Sequence, residues 1–150
     1  MTVHPYVAAD RAAALDLINA DRMPGQPVAT PGMLADALTG RSCVDAGWWA
    51  ELDHPETLVV TDITGATVGV ISCALRPRDG HGVILWLNCQ EDEVVARALL
   101  DDAADVLGPH RTLDAFQRTW PCPARHRAER PPPHGRDRSD PLRGRRRSSR

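Results

Sequence analysis

The residues best suited to acid–base chemistry fall into two small groups in the middle of the chain. Glu51, Asp53 and His54 form the first group, and Asp79 and His81 form the second. Carboxylates and imidazoles can take a proton from a substrate when they lie within hydrogen-bond reach of it. Neither group has a spacing that separates a catalytic pair from ordinary loop residues, so we interpret all five as solvated loop positions.

Cysteine and histidine are the side chains from which a metal site would be built. The four cysteines are Cys43, Cys73, Cys89 and Cys122. They form no CxxC pair, and Cys122 with His126 and His134 fits no zinc-finger spacing. We therefore expect no metal site, and we interpret the cysteines as buried or incidental thiols.

Tryptophans mark candidate pocket or core positions. Trp48 and Trp49 are adjacent and could form the floor of a binding pocket, but adjacent aromatics between two elements more often close a core. We predict a core position for this pair. Trp86 alternates with Leu85 and Leu87 in an apolar run, and we predict a core position for it too.

The composition of the chain changes after Phe116. Residues 1–116 hold 7 Arg and 17 acidic residues, whereas residues 117–150 hold 11 Arg, 3 acidic residues and 6 of the 13 prolines. The second stretch has Leu142 as its only large aliphatic residue and cannot bury a core, so we expect a disordered tail. The first stretch has the size of one domain, and its acidic balance disfavours nucleic acid as a partner.

The sequence indicates no targeting or membrane segment. Its first residues lack the charged and apolar regions of a signal peptide, and no apolar stretch approaches the ~20 residues of a membrane span. We therefore expect a cytoplasmic protein without a membrane partner.

The predicted elements begin with a strand and two helices. Residues 2–6 alternate as a short edge strand. Asp10 is the expected N-cap of the first helix, which should continue to the breaker at residues 24–25. The second helix is marked by its N-cap, its first-turn proline and its glycine stop: Thr30, Pro31 and Gly40.

A hairpin and a strand-to-helix unit follow. Two β-branched runs, residues 57–61 and 67–75, flank a glycine-containing turn and predict a hairpin. Residues 83–87 are continuously apolar, as in a central strand covered on both faces. Residues 92–107 have helical spacing with one apolar side, namely Val95, Leu99, Ala103 and Val106. A last strand is predicted over residues 112–116.

This order, in which an apolar strand runs into an amphipathic helix, resembles the GCN5-related N-acetyltransferase (GNAT) family. Four stretches look like small actinobacterial members: residues 9–11, 15–21, 46–52 and 68–72. The resemblance implies an α/β (α+β) fold with a mixed, largely antiparallel twisted sheet flanked by helices. It makes residues 1–116 an incomplete acyl-CoA N-acyltransferase domain and residues 117–150 a tail that replaces the C-terminal part.

In that family the central strand pairs with the pantetheine arm of acetyl-CoA, and the following loop and helix start hold the pyrophosphate. The resemblance implies these cofactor-binding positions here: Leu85, Trp86, Leu87 and Asn88 on the strand, and Gln90, Glu93, Val94 and Val95 in the loop. Only Gln90 matches the family's loop pattern, which has glycine where Glu93 stands. Acids here suit the helix dipole but repel a diphosphate, so a helix start capped by its own acids is an equally good interpretation.

The function implied by the resemblance is transfer of acetyl from acetyl-CoA to a small-molecule or peptide amine, with the catalytic residues unassigned. The family's last helix and strands are missing, and Tyr6, the only tyrosine, stands far from the place of its general acid. We hypothesise that residues 117–150 come from a shifted reading frame. The alternative is a non-catalytic remnant whose Arg-rich tail binds nucleic acid nonspecifically. A homodimer also stays open.

Overall fold

A five-stranded sheet runs through the computed structural model, which describes residues 1–42, 46–109 and 111–115. The strands are β1 (Thr2–Pro5), β2 (Glu56–Thr61), β3 (Thr67–Arg76), β4 (His81–Asn88) and β5 (Leu113–Ala115). The helices are α1 (Arg11–Ala20), α2 (Pro31–Leu38), α3 (Ala46–Trp49) and α4 (Glu93–Leu107), and a 3₁₀ turn at Ala8–Asp10 precedes α1. The predicted tail lies outside the described residues.

The strands lie in the order β1-β2-β3-β4-β5. The pairs β1/β2, β2/β3 and β3/β4 are antiparallel, and the pair β4/β5 is parallel. A parallel neighbour requires a crossover, and α4 supplies it. The predicted fold class and order of elements are confirmed, with α3 as an additional short helix. Among the described helices, none is both long and apolar enough to cross a membrane.

Each face of the sheet carries its own core. The first cluster joins the sheet to the helices before it and includes Leu15, Leu34, Val59, Val70 and Trp86. The second cluster lies under α4 and includes Ile71, Ile84, Val95, Leu99 and Ala103. Because β3 and β4 contribute side chains to both clusters, they are covered on both faces, which confirms the prediction for residues 83–87.

The start and end of α2 follow the predicted signals. The Thr30 hydroxyl accepts a hydrogen bond from the Met33 amide at 3.2 Å, and Pro31 occupies the first helical position. Gly40 follows the helix with a φ of +71°, a conformation that glycine adopts without strain.

The predictions for α1 were wrong at both ends. Asp10 does not cap α1, because its carboxylate accepts the Val7 amide at 2.8 Å and closes the preceding 3₁₀ turn instead. The helix ends at Ala20 rather than at the breaker, and the chain from there to residue 25 forms a turn region.

The apolar stripe of α4 was predicted with one error. Val95, Leu99 and Ala103 are buried, but Val106 is 42% exposed and Leu107 is buried in its place. Steps of four residues carry the stripe from Ala103 to Leu107, so Val106 turns toward solvent.

Candidate functional site

A β-bulge interrupts β4 at Leu85. Ser72 of β3 pairs with Trp86, whereas the next residue, Cys73, pairs with Ile84, so Leu85 is the extra residue on β4. The bulge places two consecutive side chains in the same core, and Leu85 and Trp86 both belong to the first cluster. The predicted core position of Trp86 is confirmed. The expected simple alternation with Leu85 was wrong because the bulge shifts the register by one residue.

The outer edge of β4 is paired with β5 over a short stretch. The paired residues are Gly82, Val83 and Ile84. Within residues 1–42, 46–109 and 111–115, no strand lies beside Leu85 to Asn88 on this edge. The outward N–H and C=O groups of that stretch can therefore pair with an amide-containing ligand.

The loop between β4 and α4, residues 89–92, turns sharply. Gln90 and Glu91 have φ angles of +50° and +59°, a left-handed conformation that is uncommon outside glycine. The Asp92 amide donates to the Cys89 carbonyl at 3.0 Å and closes the turn. The loop thus brings the end of β4 directly to the start of α4.

Asp21, which follows α1, reaches into this loop. Its Oδ2 atom accepts hydrogen bonds from the Cys89 amide at 2.8 Å and from the Gln90 amide at 3.0 Å. Two consecutive N–H groups therefore converge on one carboxylate oxygen. This contact joins the first helix to the loop and holds the loop in its left-handed conformation.

Asp92 caps α4. Its Oδ1 atom accepts hydrogen bonds from the Val94 amide at 2.9 Å and from the Val95 amide at 3.1 Å. The Asp92 side chain thereby satisfies two of the free N–H groups at the helix start. The structure matches the interpretation of a helix start capped by its own acids.

Four amide groups of this segment thus point at carboxylates, those of Cys89, Gln90, Val94 and Val95. Convergent N–H groups at a helix start are donors that also bind phosphate, so their chemistry fits an anionic ligand. They are already bonded to Asp21 and Asp92, and a diphosphate can use them only by displacing a carboxylate. The open edge of β4 thus offers its outward backbone groups directly, whereas the loop offers its amides to a diphosphate only under that condition.

The eight cofactor positions named from sequence form one continuous strand, loop and helix start. Leu85, Trp86 and Val95 are buried, Leu87 and Asn88 are half-buried, and Gln90, Glu93 and Val94 are exposed. The side chains of Val94 and Val95 carry no polar atoms, so only their amides can serve a ligand.

The sequence analysis missed Asp21, although one signal was present. An acid at a helix C-terminus is disfavoured by the helix dipole and therefore points to a compensating partner.

A second polar cluster lies at the opposite end of β4 and surrounds Arg76. The Arg76 side chain is 4% exposed, and its guanidinium bonds the Asp79 carboxylate at 2.9 Å and also pairs with Asp114 of β5. His81 Nδ1 lies 3.3 Å from Asp114 Oδ2. Hydrogen bonding to Arg76 lowers the pKa of Asp79 to about 2 and also lowers that of Asp114. Asp79 and His81 are thus held in an ion-pair network rather than in open solvent.

The other acid–base candidates lie at this same end. Glu51 pairs with Arg78 at 2.8 Å. The Asp53 amide donates to the Leu75 carbonyl at 2.8 Å, and His54 Nδ1 lies 3.0 Å from the Pro55 carbonyl. An eight-residue strand spans roughly 25 Å, so these groups are far from the loop after β4.

A row of polar residues crosses the sheet beside the bulge. Thr57, Ser72 and Trp86 are successive cross-strand neighbours on β2, β3 and β4, and Tyr6, which follows β1, donates its amide to the Thr57 carbonyl at 2.8 Å. The Thr57 hydroxyl donates to the Ser72 hydroxyl at 3.2 Å, and both side chains are buried. The Tyr6 hydroxyl is buried and has no hydrogen-bond partner in the part of the chain that the structure describes. Trp86 belongs to the first cluster and Tyr6 packs against it, so polar atoms are buried at this side of the sheet.

Trp48 and Trp49 meet edge to face, with ring centroids 5.6 Å apart. Trp49 is buried in the first cluster and Trp48 packs against that cluster, which confirms the predicted core position. Trp49 also lines an open cavity of about 540 Å³ between α2 and α3.

Two of the cysteines lie among the described residues, and both are buried. Burial raises the pKa of the Cys73 thiol to about 12. Burial and the Asp21 carboxylate raise that of Cys89. Both thiols are thus protonated at neutral pH, as expected of unreactive buried cysteines. Cys43 and Cys122 lie outside the described residues.

No protein-family model matches the chain, and no curated protein matches it. Several solved structures, however, are similar to the chain. A tandem GNAT protein from the clavulanic acid biosynthesis pathway, without AcCoA, has a TM-score of 0.58 and 19% identity, over 76% of this chain and 35% of that one.

Two further solved structures are similar. One is a GNAT superfamily phosphinothricin acetyltransferase from Sinorhizobium meliloti in complex with AcCoA, with TM-score 0.53, 14% identity, and 71% of this chain and 58% of that one covered. The other is a GCN5-related glucosamine N-acetyltransferase region of a fungal multi-domain GH3 β-N-acetylglucosaminidase. It has a TM-score of 0.57 and 15% identity, over 80% of this chain and 14% of that one. This chain spans less than two thirds of each of these structures. Its described part has the fold of the GNAT acetyltransferases.

Proposed function

We propose that this chain is an acetyl-CoA-dependent N-acetyltransferase domain that acts on a small-molecule or peptide amine. The observation that carries the proposal is the bulged strand β4, whose open edge at Leu85 to Asn88 leads into a loop that already holds an anion, the Asp21 carboxylate. The similar phosphinothricin acetyltransferase is in complex with AcCoA, which supports acetyl-CoA as the ligand.

In this proposal the backbone of β4 orients the donor. The pantetheine arm contains amide groups, and the N–H and C=O groups from Leu85 to Asn88 are suited to pair with them as another strand would. Acetyl-CoA would supply an activated thioester carbonyl; attack by the free amine would form an amide C–N bond, break the thioester C–S bond and release CoA as the thiol. The bulge at Leu85 alters the direction of the backbone groups at this point of the strand.

The attacking amine must lose a proton, which requires a base or a water chain. The candidates Asp79 and His81 are engaged by Arg76 and Asp114 at the far end of β4. We therefore assign no catalytic base, and the identity of the amine stays part of the proposal.

Hydrogen exchange with and without acetyl-CoA tests the proposed site. We expect acetyl-CoA to protect the amides of Leu87 and Asn88, and a suitable amine to stimulate thiol release. Protection confined to Pro31–Leu38 would place the ligand elsewhere and contradict the proposal. The matched ligand control is desulfo-CoA, which keeps the pantetheine amides but cannot carry an acetyl group. It should protect the same amides without thiol release.

A non-catalytic role is the second candidate, and one observation favours it. The loop amides that would hold a diphosphate are bonded to Asp21 and Asp92. Failure of acetyl-CoA and acetyl-pantetheine to bind at millimolar concentration would select this candidate. Nonspecific nucleic-acid binding by residues 117–150 stays a prediction, tested by salt-dependent binding of the full chain.

A further inference from the structure

We propose that Asp21 is a built-in competitor for the anion position of the β4–α4 loop and so determines how strongly the loop accepts a phosphate-bearing ligand. This inference rests on the proposed function, because it concerns the loop that would hold the donor. It assigns a specificity-determining role to a residue outside the strand, loop and helix start identified from sequence.

The geometry of Asp21 is that of a bound anion. One carboxylate oxygen receives two consecutive backbone N–H groups, at 2.8 Å from Cys89 and 3.0 Å from Gln90. Successive amides that converge in a tight turn form a concave anion site. A phosphate oxygen would make the same two bonds, so Asp21 and a phosphate exclude each other at this position.

The two carboxylates at the loop differ in kind. Asp92 belongs to the loop and caps the helix that follows it, so its hydrogen bonds form whenever α4 forms. Asp21 comes from a different element, 68 residues before Cys89. A side-chain rotation at the end of α1 is enough to free the Cys89 and Gln90 amides without unwinding α4. Asp21 is therefore the carboxylate that a ligand can displace.

The charge of Asp21 is not neutralised by a cation within the described residues. The neighbouring Arg22 donates to the Gln26 carbonyl, and no ion pair involves Asp21 in that part of the chain. Glu91, Asp92 and Glu93 add three further acids in sequence. A diphosphate therefore meets both an occupied donor pair and a negative charge that no ion pair within the described residues offsets.

Two substitutions separate these effects. Asp21→Asn keeps an oxygen that accepts the two amides but removes the charge, and Asp21→Ala removes both. Asp16→Asn is the matched control, because it removes the same charge from an exposed position on α1, the helix that Asp21 follows. The probes are inorganic pyrophosphate, acetyl-CoA and S-acetyl-pantetheine, which lacks the diphosphate.

We expect Asp21→Asn to raise the affinity for pyrophosphate about tenfold, and Asp21→Ala to raise it at least as much, as measured by calorimetry. Amide resonances of Cys89 and Gln90 should shift on pyrophosphate addition in both variants. Asp16→Asn should behave as the unmodified chain. The affinity for S-acetyl-pantetheine should be the same in all four proteins.

Equal pyrophosphate affinity in all four proteins, including no binding in any of them, would overturn the inference. Asp21→Asn alone decides the question if Asp21→Ala fails to fold, because it retains the hydrogen-bond acceptor. A different result would contradict the proposed function. It would be contradicted if neither acetyl-CoA nor S-acetyl-pantetheine bound, regardless of the pyrophosphate result. If S-acetyl-pantetheine binds but the Asp21 substitutions leave the pyrophosphate affinity unchanged, the proposed function is retained and the role of Asp21 as a competitor is rejected.

Discussion

Gly69 of β3 lies directly beneath Val95, the first buried residue of α4. A Cβ atom added at Gly69 would stand 2.9 Å from Leu99 Cδ1 and closer still to Val95 Cγ1. No ordinary contact allows this approach, so the glycine sets the distance between the sheet and the start of α4. The position of the candidate loop therefore depends on a residue that carries no chemistry.

We expect Gly69→Ala to lower the free energy of unfolding by roughly 1–3 kcal/mol, because the added methyl overpacks the contact with Val95. Gly47→Ala is the control, since a Cβ at Gly47 has no atom within 4 Å. It should leave stability unchanged or raise it by up to about 1 kcal/mol. Urea unfolding measures the free energy of unfolding of both variants. Equal values would mean that α4 moves away from β3 without loss of stability.

The network around Arg76 predicts a specific response to acid. The pKa of Asp79 is lowered from its ordinary value of 3.8 to about 2 by hydrogen bonding to Arg76. A carboxyl group whose folded pKa is lowered stabilises the fold above the unfolded pKa and loses that contribution as pH falls through the folded value. We therefore expect stability to decrease as the pH falls from 3.8 to about 2.

Asp79→Asn should flatten this part of the stability curve, because the group that titrates is gone. Asp101→Asn is the control, since Asp101 is exposed on α4. Thermal unfolding at a series of pH values between 2 and 6 is the measurement. A curve for Asp79→Asn with the same slope as the control would show that the Arg76 contact contributes no pH dependence.

Periodicity predicted most of the fold because the side chains that decide it are local. The strand at residues 83–87, the capped helix after Thr30 and the stripe from Val95 to Ala103 are each fixed by neighbours in sequence. The bulge at Leu85 was not predictable, since it depends on which β3 residue each β4 residue faces. Asp10 failed as a cap for a different, local reason, because the 3₁₀ turn before α1 uses its carboxylate.

The candidate site was predictable only as a continuous segment. The resemblance identified residues 85–95, and the structure places them in one strand, loop and helix start. Asp21 was not predictable from local spacing, because its partners, Cys89 and Gln90, lie on a loop far along the chain. Of the acids at residues 91–93, Asp92 caps α4 with its own side chain, a contact within one turn that sequence reasoning can reach.

Substitutions of Asp92, the N-cap of α4, distinguish the contribution of its hydrogen bonds from that of its negative charge. Asp92→Ala removes the acceptor for the Val94 and Val95 amides, and we expect it to lower the free energy of unfolding by about 1 kcal/mol. Asp92→Asn keeps a capping oxygen and should retain most of that stability. Chemical denaturation compares the two variants. A loss as large in Asp92→Asn as in Asp92→Ala would show that the negative charge, rather than the hydrogen bonds, stabilises the helix start.

The side chains of Thr57 and Ser72 form a buried hydroxyl pair between β2 and β3. Ser72 is fully buried, and its hydroxyl accepts a hydrogen bond at 3.2 Å from the hydroxyl of Thr57, which is also buried. Thr57→Val leaves the Ser72 hydroxyl without this donor, and a buried polar group that loses its partner costs about 1–3 kcal/mol. The double variant Thr57→Val with Ser72→Ala removes both hydroxyls and should recover part of the loss. A double-mutant cycle by urea unfolding measures the coupling. Strictly additive effects of the two substitutions would show that the hydroxyl pair contributes nothing beyond its separate groups.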